Sequence, residues 1–462
     1  MKNTLFFISD SGNHYKYELS SGSLECIDQS VYNQLINIDG KDKNNDNNKW
    51  ERGSITGKDI INQFINTPDI VFELTESCNL NCTYCIYGEA YYSLNNHRRN
   101  SSLSMEIVKN VLDFVRDTFD KHYVGKSDGT IGFYGGEPLL KMDLIKSVVS
   151  YGKQIEKNTD LHFDYNMTTN ATLLNDITAD YLSENNFDLL ISLFDLLISL
   201  DGNENNHSFR KYKNGNSSFN DVIKNIDLLQ KRYPKYFETN VSFNSVIHKN
   251  NSYFDADSFI FQRYGKHPIL SDLTTDGLKH EYKEVLISNY NKTTDNKFND
   301  TFGEDNFAQD PMFAEAIRFI YNELNIVYAD YFDLFVGKRK FWKPTGTCLP
   351  FSRKLFVTCN GDIFPCENVP RKLSFGNAKN KLNIDFEQTA KFYESLLDKH
   401  RLCHDCYRRY NCLQCVYSMG SDDRCKAYMK ENDFINYLSE MVSYFEKNPI
   451  SYKRIVERVS LE

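Results

Sequence analysis

The chain has 462 residues, enough for two or three domains, with 40% hydrophobic and 25% charged residues, so a globular core is expected. A formal net charge of −9 argues against nucleic acid as the main partner. No apolar run reaches the length of a membrane span and the start MKNTLFFISD lacks a signal-peptide pattern, so the expectation is no membrane partner and a cytoplasmic location. In that compartment 12 cysteines mean metal or redox work rather than disulfides.

In chain order, residues 4–8 and 15–19 flank Ser11-Gly12-Asn13 and predict a hairpin. A helix follows with Val31, Leu35 and Ile38 on one apolar face, and Cys26 is expected to be a buried small hydrophobe. Residues 41–48 form a polar low-complexity loop, and a short helix around Ile60 to Ile65 ends at Pro68. From 69 to about 270 strand and helix alternate. Strand 69–76 leads into Glu76-Ser77-Cys78-Asn79-Leu80-Asn81-Cys82-Thr83-Tyr84-Cys85, and Ser104 is the expected N-cap of a helix over 104–120. Strand 130–134 ends in Gly135-Gly136-Glu137-Pro138 and strand 161–167 in Thr168-Thr169-Asn170. A strand to Leu200, a helix near 217–231 and a strand over 238–247 complete at least five units. The fold class is therefore α/β, a partial or full (β/α) TIM-type barrel, with its motifs at the C-terminal ends of the strands.

The segment FDLLISL at 187–193 recurs unchanged at 194–200, and fourteen residues of strand would run about 46 Å, too long for one barrel position. The second copy adjoins Asp201-Gly202 and is assigned the strand. The first copy bulges, lengthens the preceding helix, or is an artefact of the sequence record. Residues 271–345 lose the rhythm, being Asn-rich at 290–306 and helical from Pro311 to Asn325. Eight cysteines follow between 348 and 425, and the tail carries Phe434, Leu438, Met441 and Phe445 at helical spacing, expected to pack on this Cys-rich module. The expected domains are an N-terminal module over 1–68, the barrel over 69–270, a bridge over 271–345, a Cys-rich domain over 346–430 and a helical tail over 431–462.

Cys78, Cys82 and Cys85 are close enough in sequence to reach one small metal centre from a single loop. Iron–sulfur clusters are held by Cys thiolates, normally four, so three leave one iron open. A closed zinc site wants four protein ligands and no fourth stands nearby, while an odd count disfavours disulfides. With Tyr84 just before the last cysteine, the loop resembles that of the radical S-adenosylmethionine (SAM) enzymes. The resemblance implies a 4Fe–4S cluster whose open iron is chelated by SAM, and cleavage of SAM to a 5′-deoxyadenosyl radical. Residue by residue, it also implies cofactor contacts at Tyr84, at Gly135, Gly136 and Glu137 for the methionine amino group, and at Ser199 for the ribose. Arg210 would meet the methionine carboxylate, with Asp201 orienting it. Asn170, with Thr168 and Thr169, reads either as a helix cap or as a polar ledge near the cofactor. Val246 and Asn244 are adenine-side neighbours. No catalytic acid or base is assigned.

Among the second group of cysteines, paired C-x2-C units are zinc-ribbon material, although eight cysteines exceed one tetrahedral site. The order from Cys348 through Gly361 to Cys366, then Cys403, Cys406, Cys412, Cys415 and Cys425, resembles the SPASM extension of radical SAM enzymes that modify peptides. That resemblance implies two auxiliary 4Fe–4S clusters, three clusters in all. Cys348, Cys366 and Cys415 would hold the first, and Cys403, Cys406, Cys412 and Cys425 the second. Cys359 is extra to the pattern, which leaves the fourth ligand of the first cluster open; it is read as a bystander. The implied function is an oxidoreductase maturing a ribosomally made precursor peptide by a thioether or carbon–carbon cross-link, with a flavodoxin- or ferredoxin-type reducing partner. The alternatives are an anaerobic sulfatase-maturating enzyme forming formylglycine, and a non-catalytic iron–sulfur or zinc protein that binds a peptide or passes electrons. The first module either holds a leader peptide or caps the barrel.

Overall fold

The computed structural model describes residues 2–39, 55–66, 69–88, 90–91, 101–122, 127–184, 194–273, 278–282, 284, 312–324, 348–369, 371, 373–398, 401–409, 412, 414–417, 425 and 427–458. The first FDLLISL copy, the 41–48 loop and the Asn-rich 290–306 stretch lie outside these residues. Two compact units emerge, one of residues 1–55, 293–347 and 392–462, the other of residues 56–292 and 348–391. The boundary runs through the segment 346–430.

In the first unit, β1 (Thr4–Ile8), β2 (His14–Glu18) and β3 (Ser23–Ile27) form an antiparallel sheet in the order β1-β2-β3. Gly12, at φ 82°, supplies the left-handed turn between the first two strands. Period-two alternation puts Leu5, Phe7 and Tyr17 on one face, where α11 (Glu431–Lys447) covers them with Phe434, Leu438 and Met441. Tyr17 donates its hydroxyl to the Glu323 carbonyl at 2.7 Å, beyond α9 (Phe313–Arg318). The tail helix thus packs chiefly on the N-terminal sheet, with Tyr407 and Met429 joining that cluster from the expected Cys-rich module. On the other face Phe6 and His14 meet Tyr32 of α1 (Gln29–Asp39) at ring centroid distances of 6.1 and 4.6 Å. Two expectations fail here. Val31 and Ile38 of α1 are exposed, because the tyrosine rather than the aliphatic stripe makes the contact. Cys26 is exposed, because it lies on β3, a strand the sequence reading omitted.

In the second unit, α2 (Gly57–Asn66) precedes a mostly parallel sheet of β4 (Asp69–Thr75), β5 (Ser127–Gly135), β6 (Leu161–Thr169), β7 (Phe194–Ser199), β8 (Val241–Ile247) and β9 (Ile269–Asp272). Beyond β4 the sheet continues through β10 (Leu355–Val357), β11 (Asp362–Phe364) and β12 (Gly376–Asn377), in the order β12-β11-β10-β4-β5-β6-β7-β8-β9. β10 lies parallel to β4, pairing Leu355 with Ile70, so the edge that would meet β9 in a closed barrel is taken and the barrel is partial. Between the strands run α3 (Met105–His122), α4 (Met142–Glu156), α5 (Asp176–Glu184), α6 (Phe219–Arg232), α7 (Pro234–Asn240) and α8 (Tyr253–Tyr264), and α10 (Phe386–Asp398) begins later in the chain, while α12 (Pro449–Arg458) belongs to the first unit. The expected strand from 238 starts at Val241, because Pro234 opens α7 and its fixed φ favours a first helical turn. Ser104 Oγ does accept from Ile107 N at 3.3 Å, as an N-cap should.

The two faces of this sheet differ. Ile70, Phe72, Ile131, Phe133, Phe163, Met167, Leu196, Ile198 and Phe243 are buried, each side chain of this size contributing roughly 1.5–3 kcal/mol. α4 packs so closely on this face that a Cβ on Gly152 would lie 2.5 Å from the Tyr165 hydroxyl. On the opposite face Asp164, Asn166 and Thr168 of β6 and Ser242 and Asn244 of β8 are partly or fully exposed. Parallel sheets covered on both faces read as continuous apolar runs. Strict alternation in HFDYNMTT reflects a sheet whose second face lines an open polar trough.

Candidate active site at the strand ends

The cluster loop leaves β4 and is held by the end of β5. Gly136 N donates to the Thr75 carbonyl at 2.7 Å and Glu137 N to the Ser77 carbonyl at 3.0 Å. A Cβ on Gly135, at φ 131°, would lie 2.4 Å from the Thr75 oxygen, and one on Gly136 would lie 2.1 Å from the Ser77 oxygen. The glycines are therefore required by the approach of the loop's own backbone, before any ligand is considered. Glu137 is buried, and its carboxylate accepts from Thr169 Oγ1 (2.7 Å), Asn170 N (2.9 Å) and Leu139 N (3.0 Å). Three of about four acceptor positions are used internally. Burial raises its pKa, and these hydrogen bonds pull it back. The carboxylate is thus a latch between β5 and β6, which leaves backbone carbonyls as the groups suited to an ammonium.

Asn170 ties β6 to the loop. Its Nδ2 donates to Asn79 Oδ1 at 3.0 Å and approaches Cys78 Sγ at 3.7 Å, while Leu80 N reaches the same sulfur at 3.4 Å. Asn79 in turn donates to Thr172 Oγ1 at 2.7 Å. Donors converging on a sulfur suit a thiolate bound to iron, because such hydrogen bonds tune an iron–sulfur centre. Burial pushes the Cys82 thiol up to about 12; Arg210 opposes this, and the Cys85 and Cys78 thiols reinforce it, which places the three sulfurs in mutual electrostatic range. Among the described residues no three His, Cys, Asp or Glu side chains converge as ligands of a single ion would. A cubane makes no such demand, since each thiolate binds a different iron.

At the end of β7, Asp201 is the charged hub. Arg210 donates through Nε (3.0 Å) to its Oδ2 and through Nη2 (3.1 Å) to its Oδ1, Val246 N donates at 3.0 Å, and the Tyr84 hydroxyl also donates to it. Burial alone would raise the Asp201 pKa, but the Arg210 guanidinium overrides it and holds the carboxyl well below the usual range. The Arg210 guanidinium carbon also lies 5.4 Å from the Tyr84 ring centroid, a cation–π contact. Arg210 Nη1 has no hydrogen bond among the described residues, so one edge of the fork is available to an anion. Ser199 is buried at the end of β7, and its hydroxyl likewise has no partner among the described residues. Tyr84, Ala90, Tyr91, Leu273 and Leu278 form an apolar cluster against which Cys82, Phe209 and Val246 pack. An apolar surface thus adjoins the Arg210 cation. Asn244 accepts from Ser271 at 2.8 Å instead.

Cys359 lies beside β4, where its Sγ donates to the Glu73 carbonyl at 3.1 Å and its N to Glu73 Oε2 at 3.0 Å. Burial, then the nearby Glu73 charge, raises its thiol far above the ordinary range. Glu73 also accepts from Tyr87 (2.8 Å) and Arg371 (3.0 Å). In the other unit the Cys412 thiol lies within electrostatic range of Cys406, Cys425 and Cys403. Burial pushes the Cys412 thiol up to about 12, the Gln414 amide draws it down, and Cys406, Cys425 and Cys403 push it further up. Cys415 is half-buried in that unit; Cys366 is half-buried and Cys348 exposed in the unit of the parallel sheet. Sequence reasoning missed Glu73, Tyr87, Asn79, Thr172 and His248. Glu73 was the readable signal, a carboxylate inside an otherwise apolar strand.

The model of the radical SAM superfamily matches residues 72–260, and that of an iron–sulfur cluster-binding domain, SPASM, matches residues 348–407. An uncharacterized protein of Methanocaldococcus jannaschii is 31% identical over 228 residues, 48% of this chain and 68% of the relative. The chain belongs to the radical SAM superfamily. With its SPASM domain it is an iron–sulfur protein of the SAM-binding kind, as the strand-end geometry already fits. A cysteine-type anaerobic sulfatase-maturating enzyme of Clostridium perfringens is 26% identical over 394 residues, 83% of this chain and 95% of the relative. A radical SAM cyclopropyl synthase of Paramaledivibacter caminithermalis is 26% identical over 250 residues, 49% of each chain. The solved structure of native anSMEcpe with bound AdoMet and the Kp18Cys peptide shares the fold, with a TM-score of 0.53 at 19% identity, over 85% of this chain and 99% of that one. Among the described residues no helix is long and apolar enough to cross a membrane.

Proposed function

We propose that this radical SAM protein is a peptide maturase that cross-links a ribosomally made precursor. The observation that carries the reading is the Asp201–Arg210–Tyr84 constellation facing Cys82, set at the end of a polar trough. Cys78, Cys82 and Cys85 would hold the 4Fe–4S cluster that binds SAM. That cluster, when reduced, would supply the electron for reductive cleavage of the bound SAM. Arg210 orients the methionine carboxylate, the Gly135-Gly136 carbonyls receive the ammonium, and Ser199 serves the ribose. Cys403, Cys406, Cys412 and Cys425 would hold one auxiliary cluster. Exposed Asp195 and Ser242 and half-buried Asp164, Asn166 and Asn244 give the trough hydrogen-bonding groups suited to an extended polypeptide. Among the described residues β3 pairs with β2 alone, so a leader segment can add there as a further strand.

A second reading, formation of formylglycine in a sulfatase, is favoured by the near full-length match to the Clostridium perfringens enzyme. The test is anaerobic co-expression with the Cys- or Gly-rich peptide encoded in a neighbouring reading frame, followed by mass spectrometry. Loss of two hydrogen atoms per cross-link supports the maturase. Conversion of a cysteine CH2SH side chain to a CHO aldehyde in a sulfatase-derived peptide (sulfur and two hydrogens lost, one oxygen gained), with the neighbouring peptide untouched, contradicts it.

A further inference from the structure

The residues that follow Cys406 are built into the core of the N-terminal sheet. Tyr407 is buried in one cluster with Leu5, Phe7 and Tyr17 of β1 and β2 and with Phe434 and Leu438 of α11. Its hydroxyl donates to Glu431 Oε2 at 2.6 Å, at the start of α11, and its N donates to the Met429 carbonyl at 3.0 Å. Tyr428 N donates in turn to the Cys425 carbonyl at 3.2 Å, and Arg409 N to the Cys406 carbonyl at 3.3 Å. The backbone after Cys406 is thereby clamped to the backbone after Cys425.

Arg408 makes a second link. Its Nε donates to Glu323 Oε1 at 2.9 Å, and its guanidinium carbon lies 4.8 Å from the Tyr437 ring centroid. Glu323 is buried, and its carbonyl is the group that accepts from the Tyr17 hydroxyl at 2.7 Å. Two adjacent residues thus reach from Cys406 to the sheet, one by packing and one through a pair of hydrogen bonds. All of them lie in the first unit. A three-stranded sheet offers a small core, and where ligands converge only in the folded state the free energy of metal binding becomes folding free energy.

We propose that Cys403, Cys406, Cys412 and Cys425, when they hold their cluster, staple the N-terminal sheet, so that the β3 edge is fixed enough to take a peptide strand only in the loaded protein. The cysteines fix their loop, the loop seats Tyr407 and Arg408, and those two hold β1 and β2. Loading of this cluster then gates peptide capture. The gating rests on the reading of β3 as the strand that receives a leader; the staple does not, and the experiment separates them.

Backbone amide exchange is followed by mass spectrometry on anaerobically reconstituted, full-length wild type, Cys412→Ser/Cys425→Ser, Tyr407→Ala and Cys82→Ala. Residues 4–27 should exchange about tenfold faster in the double variant, while β4 to β8 keep their wild-type rates. Tyr407→Ala, which retains all four ligands, should load its iron and still loosen residues 4–27. Cys82→Ala should leave them unchanged. Unaltered exchange of residues 4–27 in the double variant would overturn the staple, as would an equal rise in both units. If the double variant is insoluble, Tyr407→Ala decides, and wild-type exchange there overturns the proposal. The gating is read by fluorescence anisotropy of the labelled peptide from the neighbouring reading frame. Weaker binding to the double variant than to wild type supports it, and equal affinity contradicts it. If wild type itself binds no peptide, the leader reading falls, and the exchange rates alone judge the staple.

Discussion

The ends of β5 and β7 each bury a carboxylate, and the two are used in opposite ways. Glu137 meets only neutral donors, Thr169, Asn170 and Leu139, so burial wins and its pKa rises. Asp201 meets a guanidinium, so the cation wins and its pKa falls. The first arrangement fastens one strand end to another. The second holds a buried cation in place with one edge unused. A buried charge is a stronger pointer to ligand chemistry when its partner has donors to spare.

The largest expected effect comes from removing the hub. Asp201→Ala leaves the Arg210 cation buried without its partner and should cost about 3–5 kcal/mol, read by urea unfolding of cluster-free protein. SAM cleavage should fall with it. Glu137→Ala leaves neutral donors stranded and should cost less, about 3 kcal/mol. The pH dependence sharpens the contrast. A raised carboxyl contributes stability that is present below its unfolded value, 4.5 for Glu137, and lost as pH rises through the folded value. A depressed one contributes stability present above its unfolded value, 3.8 for Asp201, and lost as pH falls toward the folded value. Glu137→Gln should therefore flatten the decline on the alkaline side of 4.5, and Asp201→Asn the loss in acid. Slopes of the same sign at both positions would break the comparison.

The smallest effect belongs to Cys359→Ala. The thiol bonds the Glu73 carbonyl inside the fold, so iron and sulfide content should stay unchanged. Loss of about one cluster's worth of iron, ~4 atoms, would make it a ligand.

Much of this was legible before any coordinates. Spacing alone marked Cys78, Cys82 and Cys85, because a chelating loop is a local feature, and the strand–helix rhythm gave the parallel sheet. Asp201 and Arg210 could be paired because the family resemblance matches Arg210 to a carboxylate-binding position with Asp201 orienting it. His248 could not be found, since its meaning comes from contacts with Asp201 and Phe209 that chain distance hides. The glycines at 135 and 136 also meet a demand the sequence did not show, since a Cβ at either would collide with the backbone of the neighbouring loop. The α1 stripe misled because an apolar period says which face is oily, not whether another element covers it.

The central claim is that the loop of Cys78, Cys82 and Cys85 binds a cluster that opens SAM. The direct measurement is 5′-deoxyadenosine formation by anaerobically reconstituted, reduced protein, alongside its metal content. Wild type should contain iron and sulfide and convert SAM, while Cys82→Ala should form none above the protein-free background. Zinc without iron in the wild type, or unchanged 5′-deoxyadenosine in Cys82→Ala, would contradict the account.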